Sequence, residues 1–160
     1  MWLLILTITI LLIIIYVMPK NITKSEALFS VFFSMAFQQL VDCYLDFKYD
    51  LYGYFSVDVD SEYILVLLLL FPAFKLVFIN FFPFGLSIRS KVKYILFWTV
   101  FSTLYEYGSL YTSLFYYHGW RIEWSIALQL MDMYFIFFVN GKLKSKIVIP
   151  SDKFNGFIIR

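Results

Sequence analysis

Long apolar runs alternate with short polar stretches along the whole chain, and the runs fall in one length class. Residues 2–18, 27–47, 64–82, 94–115 and 122–139 each approach the ~20 residues that a helix needs to cross a bilayer core. The pattern predicts an all-α fold: a polytopic membrane bundle of five transmembrane helices within residues 1–147, followed by a basic tail over 148–160. The first run is uncharged and rich in β-branched residues (Ile5, Thr7, Ile8, Thr9, Ile10 and Ile13 to Ile15). These favour strand in water, but in hydrocarbon a helix satisfies every backbone group internally. Nothing basic precedes this run and Pro19-Lys20 follows it in place of a small-residue cleavage site, so it reads as a retained helix rather than a signal peptide. Ser25 is expected to cap the second helix, with Asn21 and Thr23 as rivals. Pro72 predicts a kink near Phe71, Pro83 and Gly85 end the third helix, and Asn140-Gly141 is a stop signal for the fifth.

Charge sets the orientation. Ten basic residues (Lys20, Lys24, Arg89, Lys91, Lys93, Lys142, Lys144, Lys146, Lys153 and Arg160) fall in residues 19–26, 83–93 and 140–160. Only Lys48 and Arg121 fall in 48–63 and 116–123, and Lys75 lies inside the third run. Basic loops stay in the cytoplasm, so the N-terminus is expected outside and the C-terminus in the cytoplasm of a bacterial cell membrane. Of the 160 residues, 62% are hydrophobic and 15% charged, against about 45–50% and about 25% in soluble domains. The expected partner is therefore the lipid bilayer, with a second copy or another membrane protein as the candidate protein partner. A lone Cys43 excludes an internal disulfide framework and a multi-cysteine metal site. The absence of a Lys/Arg stripe excludes nucleic-acid binding. No internal repeat supports an inverted-repeat transporter.

Polar groups inside the runs are the candidate chemistry, because a charge at mid-membrane costs about 2.5–3.5 kcal/mol on insertion scales. In the second run Ser30, Ser34, Gln38, Asp42 and Asp46 recur every four residues, with Gln39 at the edge of the same face. Such a face either lines a polar cavity or bonds neighbouring helices. Lys75, Glu106, Gln129 and Asp132 occupy similar depths in the later runs. Lys75 can snorkel to the headgroups or pair with Glu106 or Asp132, which leaves one carboxylate without a cation. That group is either a protonatable relay or a neutral acid beside a structural pair. Asn80 is placed to bond a neighbour near the cytoplasmic end. Outside the runs, Tyr117-His118-Gly119-Trp120-Arg121 forms an outer-face turn in which Trp120 and Trp124 read as interface anchors. Arg121 can pair with Glu123 or with the acidic segment Asp58, Asp60, Glu62. That segment lacks the glycine and spacing of a calcium loop, so a solvated loop is expected there, and His118 reads as an ordinary polar contact rather than a metal ligand. There is no nucleophile motif, zinc-protease motif or phosphate-binding glycine loop, and no cofactor is called for.

Asn80-Phe81-Phe82-Pro83, Tyr105-Glu106-Tyr107, and Tyr117-His118-Gly119-Trp120 with Trp124-Ser125 together resemble a family of uncharacterised small multi-spanning membrane proteins from Bacillus-like and Clostridium-like Gram-positive bacteria. The resemblance covers about half the chain and is most specific at the His-Gly-Trp…Trp-Ser turn. After Ser125 the chain departs from the family's usual Asn, Met and Pro, reading Ala127-Leu128-Gln129-Leu130-Met131-Asp132. The resemblance implies the multi-spanning architecture and Glu106 as a feature, but not Asp132, and it implies no activity. The leading expectation is a non-enzymatic membrane protein whose polar network of Gln38, Asp42, Asp46, Lys75, Glu106, Gln129 and Asp132 lines a transport path or specifies helix packing. The alternatives are a membrane-embedded enzyme acting on a lipid or isoprenoid carrier, with Asp42, Glu106 and Asp132 as acids and bases and Lys75 or Arg121 holding phosphate, and an accessory or sensor subunit of a larger complex.

Overall fold

A computed structural model describes residues 1–55, 62–112 and 114–147, the last six of these as backbone only. The chain is mostly helical. Helix α1 is Trp2–Val17. Helix α2 runs Lys24–Asp42 and continues directly into a π-helical stretch, Cys43–Lys48. Helix α3, Tyr63–Asn80, contains a second π-helical stretch at Val66–Leu70. Helices α4 and α5 are Ile88–Ser109 and Ile122–Ile147. Of these, Lys24–Lys48, Tyr63–Asn80 and Ile122–Gly141 are long and apolar enough to cross a membrane, and α1 is a shorter apolar helix.

Local chemistry explains most of the boundaries. Thr23, not Ser25, caps α2: its hydroxyl accepts from the Glu26 amide, and the Glu26 carboxylate accepts from the Thr23 amide at 2.7 Å, closing a capping box. The irregularity expected at Pro72 takes the form of the wide turn at Val66–Leu70 immediately before it, where a ring without an N–H disturbs the ladder. Helix α5 does not stop at Asn140-Gly141. Asn140 is buried and donates to the Ile136 carbonyl at 2.8 Å, so it stabilises the helix from within instead of capping it. The tail over 148–160 lies outside the described residues.

The all-α expectation needs one correction. Helix α4 ends at Ser109 rather than near residue 115, and the chain turns into a strand, β2 (Phe115–Tyr117). It pairs antiparallel with β1 (Tyr52–Tyr54) in the register Tyr52↔Tyr117, Gly53↔Tyr116 and Tyr54↔Phe115. Buried loop backbone must find partners somewhere, and here two interhelical loops satisfy one another. Beside the ribbon, the Leu51 carbonyl accepts from three successive amides, His118, Gly119 and Trp120, at 2.9–3.1 Å. Gly53 leaves room for its cross-strand partner: a Cβ there would lie 2.3 Å from the Tyr116 hydroxyl oxygen, and the Tyr116 ring would have to move.

Helix α3 is the axis of the bundle. Its first half packs on α1 through Leu4, Ile8, Leu11, Val66, Leu70 and Ala73. Its second half packs on α5 through Phe78, Ile79, Met133 and Ile136. Trp98 of α4 stands edge-on to Phe74 and Phe78. At the end opposite the ribbon, Asn80 accepts from the Asn21 amide and donates to the Pro19 carbonyl, tying the α1–α2 connection to the end of α3. The exterior is the reverse of a water-soluble surface. Trp2, Ile13, Phe32, Leu96, Phe97, Leu104 and Tyr134 are exposed, whereas Glu26, Ser30, Ser34, Asp42, Asn80, Ser125, Asp132 and Asn140 are buried. A contiguous apolar exterior of this kind marks contact with lipid or with another protein.

Candidate functional site

Several hydroxyl-bearing residues on the helices bond their own backbone. Thr7, Ser30, Ser34, Thr99 and Ser102 each return a hydroxyl to a carbonyl three or four residues earlier. The polar face of α2 therefore divides. Ser34 bonds its own helix. Ser30 also meets Asn140 of α5 at 3.4 Å. Gln38 and Asp42 enter a separate network beside the ribbon, and Asp46, half-buried one turn on, is not part of it.

Asp42 is only 1% exposed. Its Oδ1 accepts from Gln38 at 2.8 Å and from the Tyr52 phenol at 2.7 Å, and its Oδ2 accepts from the Tyr63 phenol at 2.6 Å. The Gln38 amide also donates to Tyr54 at 3.2 Å. Every donor is neutral. A carboxylate is thus held in the interior by hydrogen bonds alone, three of its neighbours being phenols from the two ends of one loop.

Glu106 has a parallel set. Its Oε1 accepts from the Tyr117 phenol and from the Ser125 hydroxyl, and its Oε2 accepts from Gln129 at 3.0 Å. Behind these, the Trp120 indole donates to Ser125 at 2.6 Å and Thr103 donates to Gln129 at 3.3 Å. Among the described residues, no cation pairs with Asp42 or Glu106. Lys75 instead pairs with Asp132 through Oδ2, both nearly buried, while Asp132 Oδ1 is buried without a hydrogen-bond partner.

A cavity of about 170 Å³ joins these groups. Gln38, Lys75, Ser102, Glu106, Gln129 and Asp132 line it on the polar side, and Phe71, Phe74, Phe115 and Trp120 on the apolar side. It reaches from the ribbon at Tyr52 and Tyr54 to Lys75 and Asp132, and takes walls from α2, α3, α4, α5 and both strands. Asp42 stands behind Gln38 and is not in the lining.

Four further residues named from sequence form the outer-face turn. Arg121 pairs with Glu123 at 3.0 Å with both side chains exposed, and His118 meets Asp50 at 3.0 Å, also exposed. Trp124 is exposed. Trp120 is not: it is 8% exposed, packed edge-on to Tyr52 and committed to Ser125. The ribbon covers it, and its indole N–H finds a partner only inside. Asp58 and Asp60 lie outside the described residues. Sequence reasoning missed Tyr52, Tyr54, Tyr63, Tyr117 and Ser125 as partners of the carboxylates. The available signal was the Tyr-Gly-Tyr alternation at 52–54 and the aromatic run at 115–117, which are strand patterns. Thr23-x-x-Glu26 was an equally legible capping box. Among the described residues, no group of three or more His, Cys, Asp or Glu side chains could hold a metal ion.

Three helices able to cross a bilayer, an apolar exterior and a polar interior make this a fold compatible with a membrane protein. Compared with protein-family models, with curated proteins and with solved structures, the chain finds no match in any of the three.

Proposed function

We propose that the chain is a multi-pass protein of the bacterial cytoplasmic membrane whose interior cavity takes up a small polar solute from the outer face. In this reading all five helices span, the N-terminus is outside, and the ribbon lines the outer end of the cavity. The ten-to-two division of basic residues between the two sets of loops supports that orientation. The family resemblance at Asn80, Glu106 and the His118-Gly119-Trp120 turn belongs to the same proposal.

One observation carries the choice of a binding cavity over helix packing alone. The Lys75–Asp132 pair and Glu106 line open space, whereas polar groups that serve packing are sealed between helices, as Asp42 is. Asp42 with its three phenols is accordingly assigned to holding α2, the ribbon and the start of α3 together, and Lys75, Glu106, Gln129 and Asp132 to the solute. Lys75 is paired with Asp132 and Glu106 accepts three hydrogen bonds, so neither is set up as an activated nucleophile, and the enzyme reading has less support.

The test is accessibility. Ser102 lines the cavity and bonds only its own backbone, so Ser102→Cys in a Cys43→Ser background places a thiol there with little disturbance. A membrane-impermeant methanethiosulfonate applied to intact cells should modify it, and should modify Arg121→Cys but not Arg89→Cys. A Ser102→Cys thiol that stays unreactive in folded protein would reduce the polar interior to a packing device. Reaction at Arg89→Cys from outside would overturn the orientation.

A further inference from the structure

The cavity described above has a definite electrostatic character. Lys75 is the cation in its lining, and Asp132 matches that charge. Glu106 adds a carboxylate that meets only neutral donors, and Asp42 adds another just behind Gln38. With both ionised, the interior carries unbalanced negative charge, and at low dielectric such charge attracts a cation strongly.

Two acceptor positions remain open. Asp132 Oδ1 is buried in a residue 5% exposed and accepts nothing. Glu106 Oε2 accepts a single bond, from Gln129, where a carboxylate oxygen has room for about two. The opposite walls are aromatic: Tyr54, Phe71, Phe74, Tyr105, Phe115 and Trp120. Aromatic faces favour organic cations over anions. The volume, about 170 Å³, is slightly more than the roughly 150 Å³ that accommodates benzene.

We infer that the cavity binds a small primary ammonium, its N–H donors directed to Asp132 Oδ1 and Glu106 Oε2 and its alkyl part against the aromatic wall. The inference rests on the proposal that the cavity takes a solute, and it names the class. A quaternary ammonium would leave both acceptors unmet. An anion would meet two carboxylates and a lysine already paired. The same chemistry is offered by a free amine and by an ethanolamine headgroup of a lipid.

The experiment is calorimetric titration of the purified full chain in phosphatidylglycerol nanodiscs with n-butylammonium, 1-butanol and butyrate. Saturable binding is expected for butylammonium at an affinity at least about tenfold above the other two. Glu106→Gln should lose about tenfold or more, and Leu128→Phe, which fills the cavity without a change of charge, should abolish binding while the melting temperature holds. If phosphatidylethanolamine in the disc lowers the apparent affinity for butylammonium, the physiological source is a headgroup; if it makes no difference, the source is a free amine. Equal binding of butanol, or preferred binding of butyrate, overturns the ammonium assignment and leaves the solute cavity intact. Failure of all three probes while Ser102→Cys still reacts also overturns the assignment. Failure of all three together with an unreactive Ser102→Cys removes the cavity reading itself.

Discussion

Tyr52 and Tyr117 face one another across the two-stranded ribbon, and each donates a hydrogen bond from its phenol to a different carboxylate, Tyr52 to the buried Asp42 and Tyr117 to the half-buried Glu106. One cross-strand pair thereby couples the carboxylate behind the cavity to the carboxylate that lines it. A hydrogen bond to a charged group contributes about 1.5–3 kcal/mol, so Tyr52→Phe and Tyr117→Phe should each lower unfolding stability by about that much. Because the two rings are direct cross-strand partners and both pack on Phe115, the double variant should depart from the sum by about 0.5–3 kcal/mol. Chemical unfolding in detergent measures all three, and strict additivity would show that the two networks are independent.

Alkaline pH provides a second check on the ribbon. Burial raises the Tyr52, Tyr54 and Tyr117 phenols well above their ordinary value of 10.0, with the adjacent carboxylates pushing them further. The folded chain therefore retains protons that the unfolded chain releases near pH 10. Their stabilising contribution is complete below that pH and declines as pH rises through it. Tyrosinate absorbance should show these phenols un-ionised until helicity is lost. Titration of all 13 tyrosines near pH 10 with the helices intact would contradict this.

The Lys75–Asp132 pair predicts an asymmetry between single and double replacement. Removing one partner of a buried pair costs about 3–5 kcal/mol, because the other charge is left without compensation. Lys75→Met and Asp132→Leu should each melt well below the parent protein, and the combined variant should recover most of the loss. Recovery of melting without recovery of butylammonium binding would separate the structural role of the pair from its role at the cavity.

The apolar runs carry most of the architecture, because in hydrocarbon a run of sufficient length has little choice but helix. That Lys75, Glu106 and Asp132 belong to one interior region was legible from their places inside apolar runs, although Glu106, expected near the middle of its helix, lies one turn from the end of α4. What could not be read was which carboxylate takes the lysine. Asp132 and Glu106 line the same cavity, and only the rotation of α5 against α3 brings Asp132 to Lys75. The ribbon was hidden by a different effect. Residues 110–115 are apolar enough to continue α4, and the pairing of residues 114–117 with 52–55 depends on a partner more than fifty residues away. A local pattern cannot weigh that partner against one more helical turn. Trp120 shows the same limit: its spacing from Trp124 suits a surface anchor, but the loop that buries it comes from elsewhere in the chain.

If all five helices span, the Lys75–Asp132 pair also constrains biogenesis. Translation proceeds at about 5–20 residues per second, and the whole of α4 and two loops are made between the lysine and its counter-ion. For several seconds the newborn third segment must wait in or beside the insertion machinery with an uncompensated ammonium. Its commitment to the bilayer is therefore tied to the arrival of the last segment, and a ribosome stalled before Asp132 should leave α3 extractable by alkali.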